Sequence, residues 1–210
     1  SYCTQSKMDE SLLNEYILYI EPKAPRYITQ YRSLNTTTEV ACIEQSEKIG
    51  STLESLGHSI LYSYCKKINE ISNRLNGQGI PMSYHEHMGT IIQTEHDVDR
   101  FMENTNENTF LLYDTGHLLF AQADYKRVLK NYVSKINHVH FKDIRQNILE
   151  NSLENDFSFR ESFLEGVFTV PGDGCIDYEP LFKILHENNY EKWLIIEAEQ
   201  DPKKANPLEY

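Results

Sequence analysis

The sequence predicts an α/β fold built on a parallel sheet. Three observations carry that reading. From residue 59 onward, short apolar segments of strand length alternate with segments of helical periodicity. The strand-like segments have apolar bodies, as strands buried on both faces do. Their polar residues collect at their C-terminal ends, where a parallel strand leaves the core.

Taken in order, residues 9–21 show helical spacing through Leu12, Leu13, Tyr16, Ile17 and Ile20. Residues 22–58 are rich in Thr, Ser, Asn and charge, and their one apolar run, 40–43, is a candidate strand. Residues 59–77 read as a helix on Ile60, Tyr64, Ile68, Ile71 and Leu75, with Asn76-Gly77 as its stop. A strand at 81–87 precedes a polar helix at 94–103. A strand at 110–114 precedes a helix at 123–133. A strand at 136–142 is followed by a long polar segment, a helix at 179–188 and a strand at 193–199. Residues 201–210, polar with two prolines, read as a loop. The chain contains no internal repeat and no low-complexity run.

Composition narrows the function. The chain has 210 residues and a mass of 24.6 kDa, enough for one large domain. It carries 20 Lys plus Arg against 32 Asp plus Glu, a formal net charge of -12. Such a field repels phosphate, so nucleic acid and anionic lipid are poor partners. No stretch approaches the roughly 20 apolar residues of a spanning helix. The opening SYCTQSKMDE lacks the basic and apolar blocks of a signal peptide. Cys3, Cys42, Cys65 and Cys175 are scattered, which favours free thiols over a disulfide framework. The absent targeting signals, together with the metabolic role implied by the family resemblance given below, set cytoplasm as the expected location.

Chemistry-bearing residues cluster at the strand ends. The first strand ends in His85-Glu86-His87, the second in Asp114-Thr115-Gly116-His117. The third holds His138-Val139-His140 with Lys142-Asp143 beyond, and the last ends in Glu197-Ala198-Glu199. Five of the eight histidines lie in these segments. Residues i and i+2 of a strand point to one face. His85 pairs with His87 in this way, His138 with His140, and Glu197 with Glu199. In an α/β barrel the inward face at the C-terminal strand ends forms the active-site mouth. One imidazole or carboxylate from each of four strands could converge there on a divalent cation. Mixed His, Asp and Glu donors suit Mn²⁺, Co²⁺, Zn²⁺ or Fe²⁺ better than Ca²⁺. Singly, each residue has a plainer reading: a hydrogen-bonding His, a capping Asp114, a Glu197 paired with lysine. Recurrence at four successive strand ends is what sets a metal site beside those readings. The turn cluster Pro171-Gly172-Asp173-Gly174 lacks a nucleotide-phosphate pattern and reads as a structural loop, with a backbone contact to substrate as the alternative.

The strings YHEHMGT (84–90), LLYDTGHLLFA (111–121), INHVHFKDIR (136–145), GVFTVPGDGCIDYEPLF (166–182) and WLIIEAEQDPKKANPLEY (193–210) resemble the myo-inosose-2 dehydratases of bacterial inositol breakdown. The DTGH and HVH-KD strings are shared with the wider xylose-isomerase-like barrels. The resemblance implies a (β/α)8 TIM barrel and a divalent metal, Mn²⁺ or Co²⁺. It covers 60–210 well and 1–59 weakly, as a single partial barrel domain over 1–210. That domain is expected to be incomplete at both ends, since a barrel of this type takes about 250 residues.

By motif matching, the metal positions are His85, Asp114, His140 and Glu197, with Glu86 as the first-strand alternative. The implied reaction removes water from 2-keto-myo-inositol, a cyclic polyol with one ketone, to give a 1,2-dione. Candidates for proton transfer are Glu199, His87, His117 and Lys142. Glu199 is the first choice as base, and Lys142 is the candidate to stabilise a developing oxyanion. An isomerase or epimerase of the same superfamily, or a non-catalytic fragment, is the alternative. The expected partner is the small polyol ketone, and a homo-oligomer is compatible with the sequence.

Overall fold

The structure is a computed structural model and describes residues 43–201 and 203–205, with side chains from residue 60 onward. The chain divides into two compact units, Ser1–Ser55 and Leu56–Tyr210. Of the first, residues 43–55 are described, as helix. The expected helix at 9–21 lies outside the described residues, as do Cys3 and Cys42. Ile43, expected to end a strand, instead begins helix α1, Ile43–Asn76.

The second unit carries the alternation. Four strands, β1 (Met82–His85), β2 (Thr109–Asp114), β3 (Ile136–Phe141) and β6 (Trp193–Ile196), form one parallel sheet in that order. Among the described residues this is half the strand count of a closed eight-stranded barrel. Between them lie helices α2 (Glu95–Asn104), α3 (Thr115–Phe120), α4 (Tyr125–Tyr132), α5 (Gln146–Glu154), α6 (Phe159–Glu165) and α7 (Glu179–Glu187). Two short strands, β4 (Asp143–Ile144) and β5 (Phe168–Thr169), pair antiparallel. The polar segment after β3 thus holds two helices that its weak apolar pattern hides.

Local chemistry sets several boundaries. Thr94 precedes α2 and closes a capping box with Asp97: its hydroxyl accepts the Asp97 N–H (3.2 Å) and the Asp97 carboxylate accepts the Thr94 N–H (2.9 Å). Ser158 and Glu161 do the same for α6, which ends on Gly166 in the left-handed region. Along β2 the residues alternate as the pleat requires. Thr109, Leu111 and Tyr113 are buried on one face, while Phe110 and Leu112 are half-buried on the other. Val98, Phe101, Val128, Leu129, Ile136, Val139 and Phe141 are among the other buried apolar residues of the strands and helices. A second cluster joins Phe120, Ile144, Leu149, Val167 and Phe168.

The register fixes heights. His85 lies level with Leu112, Asp114 with His140, and His140 with Ile195. A shift between Leu111 and Leu112 skips Asn137 and brings His138 and His140 into line. The edge strand β6 is exposed throughout, Trp193 to 71%. No described helix is long and apolar enough to cross a membrane.

The 170–176 loop is clamped from beneath. The buried Asp143 carboxylate accepts N–H bonds from Ile144 (2.8 Å), Gly172 (2.9 Å) and Ile176 (2.9 Å). Those two loop amides are therefore spent inside the fold, which favours the structural reading of this turn over a substrate contact. A Cβ at Gly174 would collide with the Asp143 carboxylate and the Ile144 carbonyl. Gly174→Ala is expected to destabilise the fold by about 1–3 kcal/mol, the usual cost of overpacking, measured by urea unfolding against the parent chain.

Candidate metal centre

The strand ends bring together the residues that the sequence singles out. Asp114, at the end of β2, is buried and splits its work between two oxygens. Oδ1 accepts the N–H groups of Gly116 (2.9 Å) and His117 (3.0 Å), capping α3. Oδ2 faces His85 Nε2 at 3.5 Å, His140 Nδ1 at 3.6 Å and Lys142 Nζ at 3.3 Å. Glu197 Oε2 lies 2.8 Å from His140 Nδ1.

Donor atoms of His85, Asp114 and His140 lie within 4.8 Å of one another, and Glu197 joins them through His140. His85 Nε2, Asp114 Oδ2, His140 Nδ1 and Glu197 Oε2 are all buried and make no hydrogen bond of proper geometry. Buried polar atoms are ordinarily paired. Four such atoms converging from four strands, two nitrogens and two oxygens, fit a first-row divalent cation.

Electrostatics agree with the geometry. Burial by itself would raise the Asp114 carboxyl, but His140, His85 and Lys142 hold it well below the carboxylate range. His140 lowers Glu197 to about 2 against the opposing effect of burial. The same two carboxylates raise His140 to about 9, Asp114 most strongly.

Glu86, the alternative on the first strand, takes another place. Its carboxylate is fully buried, and Oε1 accepts the Asp114 N–H at 2.9 Å. Burial first, then the nearby Asp114, push its carboxyl well above the usual range, which favours the protonated form behind the donor group. His138 lies beneath, its ring 5.5 Å from that of His140.

The four proton-transfer candidates form a second group beside the first. Lys142 Nζ lies 3.0 Å from His117 Nε2 and 3.1 Å from Glu199 Oε2. The His87 and His117 rings stand 3.8 Å apart, and His87 Nδ1 bonds the Met88 carbonyl at 2.8 Å. Burial lowers His117 to about 3, so its imidazole is neutral. Burial opposes the Lys142 charge, but Asp114, Glu199 and Glu197 outweigh it and raise the ammonium above its ordinary value. Sequence reasoning missed two supporting residues. Gly116 sits where a Cβ would come within 2.8–3.0 Å of the Lys142 stem, and Asp143 anchors the loop beyond. The DTGH and KD strings were their only signal.

Two outcomes follow from this geometry. His140 is raised from 6.5 to about 9 in the folded chain, so its stabilising contribution is complete below pH 6.5 and is lost as pH climbs to about 9. The melting temperature of the metal-free chain should fall across that window, and His140→Asn should flatten the fall. Glu86→Ala, which strands the Asp114 N–H, should cut divalent-metal affinity by about 10–100-fold. Glu86→Gln, which keeps an accepting oxygen, should retain most of it; isothermal titration with Mn²⁺ separates the two.

Comparison with known proteins places this arrangement. Residues 57–209 match the family model of the xylose isomerase-like TIM barrel. An inosose dehydratase of Clostridium perfringens is 48% identical over 144 residues, 68% of this chain and 48% of the relative. One of Halalkalibacterium halodurans is 45% identical over 170 residues, 80% of this chain and 56% of the relative. The chain thus spans about half the length of the curated relatives it matches. Among solved structures, the IOLI protein with a binding zinc atom superposes with a TM-score of 0.53 at 18% identity, covering 72% of this chain and 51% of that one. The probable 3-DHS dehydratase AsbF of Bacillus anthracis gives 0.53 at 15% identity, over 65% and 49%. These two likenesses speak to the fold alone. The parallel sheet, the strand-end donors and a family match over most of the chain lead to one statement: this chain belongs to the xylose isomerase-like TIM barrel family.

Proposed function

We propose that this chain carries the metal centre and proton-transfer groups of a dehydratase acting on a cyclic polyol ketone, 2-keto-myo-inositol, in the cytoplasm. The observation that carries the proposal is the convergence of four buried, unsatisfied donor atoms from four strand ends. The relatives at 45–48% identity, named inosose dehydratases, supply the reaction class.

His85, Asp114, His140 and Glu197 would hold the ion, Mn²⁺ or Co²⁺ by the family resemblance, among the first-row cations that this donor set suits. When bound, such an ion supplies Lewis acidity toward a ketone and its neighbouring hydroxyl. The remaining work falls to the second group. Glu199 accepts the proton from the carbon beside the ketone. Lys142, 3.1 Å from Glu199, stabilises negative charge developing on the substrate oxygen. His87, with Nδ1 engaged by the Met88 carbonyl, lies with its ring against that of His117 and lines the leaving-group side. Neutral His117 accepts from the Lys142 ammonium and fixes its direction. The atoms balance: Glu199 takes the C–H proton and returns it to the departing hydroxyl, so the net change is the loss of one water and the resulting enol becomes the dione.

The test is product analysis with the chain, Mn²⁺ or Co²⁺, and 2-keto-myo-inositol. The expected product is the dione, lighter than substrate by one water. A product of unchanged mass would replace the reading with isomerisation, and no turnover would overturn it for this chain. Asp114→Asn and His140→Ala should each lower metal affinity by more than the about 10–100-fold that loss of an outer partner costs, and abolish dione formation.

A further inference from the structure

Beside the proposed metal position lies a second set of donors. Atoms of His87, His117 and Glu199 lie within 4.8 Å of one another, and His117 is buried. Two imidazoles and a carboxylate are an ordinary ligand set for a divalent ion. A cation already stands among them. Lys142 Nζ is 3.0 Å from His117 Nε2 and 3.1 Å from Glu199 Oε2, and these two atoms are themselves 3.5 Å apart. Metal–ligand bonds of about 2.0–2.2 Å would place any ion bridging them within roughly 4 Å of the ammonium nitrogen. Two like charges that close, with little water between them, repel strongly.

The ammonium is also held in place. The Lys142 side chain is 1% exposed. Its stem fills the space that a Cβ on Gly116 would take. The Thr115 hydroxyl accepts the Lys142 N–H (3.0 Å) and donates to the Lys142 carbonyl (2.8 Å). Nζ lies 5.2 Å from the centroid of the Phe168 ring. The same nitrogen lies 3.3 Å from Asp114 and from Glu197, so it stands between the two donor sets, and the three carboxylates around it balance one ammonium and one divalent ion but not a second ion.

We infer that Lys142 is a built-in cation occupying the place of a second divalent ion, and that it keeps the His87–His117–Glu199 group from binding one. The strand ends then form a two-cation site, one cation covalently part of the chain and one exchangeable. The inference rests on the first donor set's holding a metal.

The experiment counts ions. The chain, Lys142→Ala and Lys142→Met are saturated with Mn²⁺, desalted and assayed for bound metal, with circular dichroism on each as the check of folding. Methionine keeps most of the stem's volume over Gly116 and stands in should the alanine variant unfold. The parent chain should hold one ion and the variants two. Adding His117→Ala to a Lys142 variant should return the count to one. Paired Mn²⁺ ions this close should also broaden the paramagnetic resonance of the two-ion form. One ion in folded Lys142 variants, or two in the parent, would overturn the inference and leave the first centre standing. No ion in the parent with one in the variants would overturn the inference, since Lys142 would then be keeping the ion from the first centre itself. No ion in any of them would sink both.

Discussion

The site depends on burying one carboxylate. Removing a charged carboxylate from water costs several kcal/mol unless every lone pair finds a partner. Asp114 meets half of that demand directly and leaves one oxygen among cationic and imidazole neighbours. One oxygen closes the first turn of α3 through two backbone N–H groups, and the other faces two imidazoles and an ammonium. Its own amide goes to Glu86. The sheet order makes this division workable. β2 lies between β1 and β3, so cationic and imidazole groups arrive from both sides at the height set by parallel register. A slip of one residue in either pairing would turn a donor away from the site.

Charge balance explains the rest of the neighbourhood. Asp114, Glu197 and Glu199 converge on a single ammonium, with neutral His117 beside it. Asp114 and Glu197 are held ionised, while Glu86 is pushed toward its protonated form only a few ångströms behind. Environment, not residue type, decides which acid keeps its charge. The resulting surplus of negative charge, pre-formed and stiffened by Lys142 packed over Gly116, is what makes the strand ends receptive to a cation.

Much of this was legible because parallel strands announce themselves locally. Apolar bodies with polar ends located β1, β2, β3 and β6 to within a few residues, the pleat paired residues on one face, and matching to the family's motifs picked out His85, Asp114, His140 and Glu197. Other features were not written locally. Helix α5 buries only Leu149 and Ser152, too thin a stripe to show periodicity, and α6 is a seven-residue helix whose start is set by the Ser158–Glu161 capping box. Helix α3 spans six residues and is closed by the same Asp114 that serves the site, so its sequence read as motif rather than helix. Strands β4 and β5 are two residues each. The bond from Asp143 to the amides of Gly172 and Ile176 links positions about thirty residues apart, and no pattern in either segment predicts the pairing. Glu86 and His85 were inseparable on sequence because adjacent residues at a strand's end differ only in which way they face.

One feature of β6 has a use in the laboratory. Trp193 is the sole tryptophan of the chain and is 71% exposed. It lies level with His138 on an edge strand, four residues before Glu197. An indole in water emits at longer wavelength than one packed among apolar side chains. The tryptophan emission of this chain, excited selectively over its tyrosines, therefore comes from one place, and its colour reads the polarity beside β6 without any attached label.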